Sequence, residues 1–245
     1  MLTVEKLFVK FGKSVILDDV SLEIKKGEMV GIIGPNGCGK TTFLNAVSGF
    51  VPTTSGSILY NDEDVTKWPA FKRAKSGIGR SFQSAGVFRE MTLEENLTIA
   101  VEHTHHYPWW WKFSPQYKSV ADELIDEALE SVGLHAHKHS LAGVLSGGQL
   151  RLLELARLKL SGGDLMLIDE PTAGVSPAMR KILGETIQKL AKEGDRSIVI
   201  VEHDMKFLFN LVDRVIVFVE GKKYLEGKPE DVQKDKRLQE VYFGS

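Results

Sequence analysis

The 245-residue chain has a single cysteine, Cys38, so it can build neither an internal disulfide nor a multi-cysteine zinc site. A lone thiol suits a reducing compartment, and a cytoplasmic location is the expectation. Nor is there an excess of charge of one sign. Its 31 basic residues stand against 33 acidic ones, and a net charge of -2 argues against nucleic-acid binding through bulk electrostatics. Long hydrophobic runs are missing too. The N-terminus carries Glu5, Lys6 and Lys10 and no apolar run of signal-peptide length. The longest uncharged stretch, residues 41–61, is interrupted by Gly49, Pro52 and Gly56 and is rich in Ser and Thr, unlike a transmembrane helix. What is present, 42% hydrophobic and 26% charged residues, suffices for one large domain or a core with a smaller lobe, and excludes disordered and collagen-like classes.

Hydrophobic periodicity divides the chain. Residues 4–9 and 21–24 alternate as half-buried strands do, each closed by a glycine turn, so an antiparallel start is predicted. Residues 29–33 form a short apolar run that breaks into a glycine loop, with helical spacing resuming at Phe43, Leu44 and Val47. From 93 to 160 the pattern is mainly helical. Residues 165–168 and 197–201 are continuous apolar runs, the mark of strands buried on both faces, and the helical pattern of 177–192 between them makes a βαβ unit with a parallel sheet. Residues 215–219 and 224–226 flank Glu220-Gly221 as a closing hairpin.

The glycine loop reads Gly34-Pro35-Asn36-Gly37-Cys38-Gly39-Lys40-Thr41 and sits between a predicted strand and a predicted helix, the setting a phosphate-binding loop needs. Its backbone N–H groups would wrap phosphates, Lys40 would meet the outer ones, and the Thr41 hydroxyl would face Mg²⁺. Gly34, Asn36, Gly37, Cys38, Gly39, Lys40, Thr41 and Thr42 are the expected nucleotide contacts of this loop. The run 165–168 then ends in Asp169-Glu170, where a buried parallel strand leaves the sheet. Asp169 is suited to hold Mg²⁺ and Glu170 to orient and deprotonate an attacking water. Leu145-Ser146-Gly147-Gly148-Gln149 opens the amphipathic helical stretch 150–160, making a second glycine-rich helix N-terminus suited to an anion. One nucleotide does not need two such cradles from one chain, so the second is suited to the γ-phosphate held by another subunit.

With these motifs in this order, the sequence resembles an ATP-binding cassette (ABC) ATPase over essentially its whole length, with Ser146, Gly147, Gly148 and Gln149 matching the family's signature. The resemblance implies an α/β fold: a P-loop NTPase core with a mainly parallel sheet, an N-terminal antiparallel β subdomain and an inserted helical subdomain. It implies a single ABC ATPase domain over 1–245, with 1–92 and 161–245 as core and 93–160 as helical lobe. It implies ATP and Mg²⁺ as cofactors. It assigns Gln83 to the loop glutamine that touches Mg²⁺ and the attacking water, His203 to the switch histidine at the γ-phosphate, and Phe11 to the aromatic that stacks on adenine. One position departs: Ser176 stands where the family usually has Asp, which affects the coupling of two ATP sites.

The same resemblance implies transmembrane permease subunits as partners, a homodimer or a heterodimer with a second ABC ATPase, an upstream substrate-binding protein, no nucleic acid, and a peripheral place on the inner face of the cell membrane. Residues 82–92, Ala173-Gly174-Val175 and Glu202-His203-Asp204-Met205 are similar to branched-chain amino-acid importer subunits. Urea importers and lipopolysaccharide exporters share much of this pattern. The insertion 103–117 resembles that of the longer of the two ATPases such importers pair. A non-transport ABC ATPase typically has a long coiled coil between its motifs or two cassettes in one chain, whereas Lys40 and Asp169 are only 129 residues apart here. A GTPase would need an Asn-Lys-x-Asp motif, which the sequence lacks.

Three features invite other chemistry. His135, His137 and His139 alternate within a loop-like connection with no acid or cysteine beside them in sequence, a weak pattern for a metal. The histidines and tryptophans of 103–111 read as a packed loop of the helical lobe, with contact to a membrane subunit or a lipid interface as the alternative. Cys38, near Lys40 and a helix N-terminus, is expected to have a lowered pKa and a reactive thiolate.

Overall fold

A computed structural model describes residues 1–81, 86–104, 114–235 and 238. The chain begins with the antiparallel pair β1 (Leu2–Phe11) and β2 (Ser14–Ile24), longer than the alternation suggests, because bulges near Lys6 and Asp19 reset the pattern. Two further strands, β4 (Ser55–Tyr60) and β5 (Glu63–Asp64), complete a four-stranded antiparallel sheet in the order β2-β1-β4-β5. The second sheet has six strands. Its order is β10-β9-β3-β8-β7-β6, built from β3 (Met29–Ile33), β6 (Ile78–Arg80), β7 (Leu165–Asp169), β8 (Ser197–Val201), β9 (Arg214–Val219) and β10 (Lys222–Gly227). Neighbours from β9 to β6 run parallel, and β10 returns antiparallel as the expected hairpin.

β3, β7 and β8 are buried at every position because each face meets a different core. Met29, Ile33, Met166, Ile168, Ile198 and Ile200 point to the face covered by helices, while Val30, Ile32, Leu165, Leu167, Val199 and Val201 point to the face covered by the antiparallel sheet. On the first face lie α3 (Leu93–Thr104), α4 (Pro115–Ser131), α5 (Gly147–Leu160) and α6 (Pro177–Glu193). On the second, α1 (Lys40–Ser48) lies inside the sandwich and buries Phe43, Leu44, Ala46 and Val47.

The end of α1 is closed by a side chain that periodicity does not reveal. Arg73, 2% exposed on the short helix α2 (Ala70–Lys75), donates to the carbonyls of Ala46 and Val47 at 2.6 and 2.8 Å and to those of Trp68 and Thr66. Carbonyls at a helix C-terminus have no partner in their own helix, so a buried guanidinium supplies one. Two further short α-helices are α7 (Met205–Phe209) and α8 (Pro229–Val232), and 3-10 turns form at His135–His137 and Ala142–Val144.

Candidate active site

β3 delivers the chain to the glycine loop at the carboxyl edge of the central sheet, between β8 and β9. Close approach explains the glycines. A Cβ on Gly34 would overlap the Phe218 carbonyl oxygen, and one on Gly39 would come within 2.7 Å of Leu17 Cδ2 and 2.9 Å of the Ile16 carbonyl. Gly39, at φ 101°, forms the N-cap of α1. Lys40 is 5% exposed and curls back into its own loop, donating from Nζ to Gly34 O at 2.8 Å and Pro35 O at 2.9 Å. Loop carbonyls thus hold the ammonium at the mouth of the cradle, where an anionic phosphate would be a stronger partner.

Cys38 corrects an expectation. Its side chain turns inward and is 2% exposed, and burial pushes its pKa above the ordinary thiol value despite the charge and hydrogen bonding of Lys40. The thiol is a packing group, since a loop residue beside Lys40 can face the core as readily as solvent.

Asp169 ends β7 and is 1% exposed. Its Oδ2 accepts from Arg80 Nη2 at 3.0 Å, and the same Nη2 reaches Asn45 Oδ1 at 2.9 Å. Its Oδ1 is buried with no hydrogen-bond partner among the described residues. Burial raises the Asp169 pKa above the usual carboxylate value, against the charge of Arg80 and the Thr41 hydroxyl, with the charge of Glu170 adding to the rise. A hydroxyl and a buried carboxylate with one unclaimed oxygen are hard donors, so the pair fits a small divalent cation. Arg80 was not singled out by the sequence, because an arginine at the end of a three-residue strand carries no spacing signal.

Glu170 follows with φ 47°, a backbone region that non-glycine residues seldom adopt. Its N–H is fixed to Val201 O at 2.9 Å, and its Oε1 lies 2.9 Å from His203 Nε2. The two expected reacting side chains, 33 residues apart in sequence, therefore meet where β7 and β8 leave the sheet. Glu202, beside His203, is 2% exposed and binds the loop that follows Glu170, a contact no motif announces.

Ser146 is the N-cap of α5 in a capping box: Ser146 N and Oγ both donate to Gln149 Oε1, at 3.0 and 2.9 Å, and Gln149 N donates to Ser146 Oγ at 3.4 Å. The Ser-x-x-Gln spacing carried that signal. A Cβ on Gly148 would collide with Met179 Cγ of α6, and Gly147 lies against the Gly174 carbonyl in the loop after Glu170. Ser146 and Gly147 themselves are exposed. Phe11, at the end of β1 beside the hairpin turn, is 52% exposed, which leaves its ring open to stacking. Ser176 caps α6 by backbone position without a side-chain hydrogen bond. Gln83 and most of the 103–111 segment lie outside the described residues. Thr42, on the first turn of α1, is half-buried. The histidine run does have acids near it in space: His135 pairs with Asp126 at 3.3 Å and His139 with Glu94 at 3.0 Å, each with a separate carboxylate.

Residues 17–173 match the family model described as ABC transporter, spanning the glycine loop, the signature and the Asp169-Glu170 strand. The chain belongs to the ABC transporter family. The cassette is 35% identical over 100% of its length and 98% of the relative to the high-affinity branched-chain amino acid transport ATP-binding protein LivG of Escherichia coli. It is 33% identical to the corresponding BraF of Pseudomonas aeruginosa, again over 100% of the chain and 98% of the relative. Among solved structures, the ADP conformation of an ATP-binding cassette of an ABC transporter superposes with a TM-score of 0.88 at 30% identity, covering 100% of this chain and 99% of the other. A Clostridium perfringens protein that is part of the ABC transporter complex cbiONQ superposes with a TM-score of 0.84 at 25% identity, covering 98% and 94%. The cassette is an ATPase whose hydrolysis is coupled to transport.

Proposed function

We propose that this cassette drives a branched-chain amino-acid importer. The observation that supports the substrate is full-length similarity to LivG and BraF, whose names specify that transport. In this reading the Lys40 loop cradles ATP, Phe11 stacks on its adenine, and Thr41 and Asp169 hold Mg²⁺, with Gln83 completing the metal's surroundings. When bound, Mg²⁺ neutralises charge on the phosphates as the bond to the γ-phosphoryl group breaks. Glu170 orients and deprotonates the attacking water, and His203, against the Glu170 carboxylate, meets the γ-phosphate. Two cassettes, two copies or one copy with a second ABC ATPase, face each other so that Ser146, Gly147, Gly148 and Gln149 of one close over the ATP of the other.

The membrane partner has a place to act. A groove of about 550 Å³ between α2, β6, α3 and α5 is lined by Phe50, Phe71, Ile99, Arg157 and Leu158, with Phe71 63% exposed. It also borders Gly86, just past the segment of Gln83, and Arg80, which holds Asp169. A short helix of a permease subunit fits an apolar groove with aromatic walls, and there it would feel the state of the metal site. Ile99 and Ala100 of α3 and Glu154, Arg157 and Leu158 of α5 form one wall. No helix among the described residues is long and apolar enough to cross a membrane. In this reading the cassette sits on the inner face of the membrane through the permease, with a substrate-binding protein upstream.

Proteoliposomes holding the cassette with its cognate membrane subunits and binding protein should take up leucine, isoleucine or valine when MgATP is on the cassette's side. Glu170→Gln should still bind ATP while uptake and hydrolysis fall by ~10² to 10⁴, the usual effect of removing a general base. Uptake of urea alone, or outward transport of lipopolysaccharide, would overturn the substrate, and wild-type turnover in Glu170→Gln would overturn the assignment of the base.

A further inference from the structure

Glu202 lies between the two loops that carry the reacting pair. Its side chain is buried, at 2% exposure, and both oxygens are fully engaged by donors. Oε1 accepts from the Thr172 N–H at 2.8 Å and from the Thr172 hydroxyl at 2.5 Å. Oε2 accepts from the N–H groups of His203 at 2.8 Å and Asp204 at 3.2 Å. Every partner donates, so the position requires an acceptor at each oxygen, and a carboxylate is the side chain that offers two. Thr172 is itself 4% exposed and stands two residues after Glu170, while His203 is the residue next to Glu202.

A second tie joins the same loops further out. Arg180 of α6 donates from Nε to Val175 O at 3.1 Å and from Nη1 to Asp204 Oδ2 at 2.7 Å. Asp204 Oδ1 caps α7 by accepting from Phe207 N at 3.1 Å. The loop after Glu170 and the loop of His203 are therefore cross-linked at two points, with the buried carboxylate nearer the chemistry. The first of these loops also touches the signature helix, where Gly147 lies beside Gly174 O.

We propose that Glu202 is a positioning residue that locks the loop after Glu170 to the loop of His203, so that these two side chains keep one register and a displacement of either loop carries the other with it. The inference rests on the roles given above to Glu170 and His203. It concerns kcat rather than nucleotide affinity, because none of the bonds of Glu202 reaches the glycine loop.

The test uses the full chain and measures ATP affinity, KM, kcat and melting temperature together. Glu202→Gln keeps the shape but turns an amide donor toward groups that donate. It should bind MgATP with unchanged affinity and KM while kcat falls roughly 10- to 100-fold, the scale of a misplaced reacting group. Thr172→Val, which removes only the hydroxyl, should lower kcat in the same sense, and Thr172→Ser should restore it. The double variant Glu202→Gln with Thr172→Val should be no slower than Glu202→Gln alone, as residues acting through one contact are not additive. Wild-type kcat in Thr172→Val and Glu202→Gln would overturn the proposal. So would additive losses with a lowered melting temperature and weakened ATP binding, the signature of a merely structural role. Should Glu202→Gln fail to fold, the Thr172 series decides alone. Glu170→Gln serves as the control: if it turns over normally, the reading of the site fails, whereas an inactive Glu170→Gln beside a fully active Thr172→Val condemns only the positioning role.

Discussion

Cys38 illustrates how one side-chain direction changes an expected reactivity. Because its thiol faces the core and its pKa is raised by burial, iodoacetamide should label the folded protein slowly at neutral pH, more slowly than a free thiol such as glutathione. Labelling should accelerate as pH rises above the ordinary thiol range, and MgATP should protect by closing the loop over it. Mass spectrometry of the peptide holding Cys38 measures this directly. Cys38→Ala should remain active, since the loop uses the backbone of that residue and requires a small side chain. Fast labelling at pH 7 would mean that the thiol is turned outward. At this scale the phosphate loop, Asp169, Glu170 and Ser146 were legible because their spacing relative to strand and helix ends is itself the signal. Arg73, Arg80 and Glu202 were not, because each has its defining partner far along the chain, Ala46 and Val47 for Arg73, Asp169 for Arg80 and Thr172 for Glu202, and sits in no repeated pattern.

Elements are held in register by a few partly buried charges, and one of them makes stability depend on pH. Arg214, at the start of β9, donates to Glu28 Oε1 and Oε2 at 2.7 and 2.9 Å and to Glu23 O, pinning the turn between β2 and β3 to the central sheet. Burial alone would raise the Glu28 pKa, but the hydrogen bonds from Arg214 and Lys25 N and the charge of Arg214 prevail and lower it. A carboxyl with a lowered folded-state pKa stabilises the fold above its unfolded pKa, and that contribution is lost as pH falls through the folded value. Glu28→Gln should thus cost about 1 to 2 kcal/mol at pH 7, with the difference shrinking at a second, acidic pH below the ordinary carboxylate range, where the wild-type group protonates. Urea melts of both proteins at the two pH values check it, and a pH-independent difference would contradict it. The parallel strands were readable as unbroken apolar runs, since both faces are buried. β4, β5 and β6 were not: β4 opens on Ser55-Gly56-Ser57, β5 has two residues, and β6 has three, so their pairing, β4 with β1, β5 with β4 and β6 with β7, comes from neighbouring strands instead of from local pattern.

For the whole molecule, the signature helix and the phosphate loop define two half-sites on one chain. α5 presents an exposed Ser146 and Gly147 beside the loop that follows Glu170, while Lys40 lies in its own cradle across the carboxyl edge of the sheet. In the function proposed above, two chains meet to complete either half, and this is the central claim. Mixing tests it most directly. Lys40→Ala and Ser146→Arg proteins should each fail to hydrolyse ATP alone. Combined, with mixed dimers demonstrated through two affinity tags, they should regain hydrolysis in proportion to the mixed dimer, because one intact Lys40 loop then faces one intact Ser146 while the other pairing is disabled twice. Full activity in the Ser146→Arg protein alone, or no activity in purified mixed dimers, would contradict a site shared between chains.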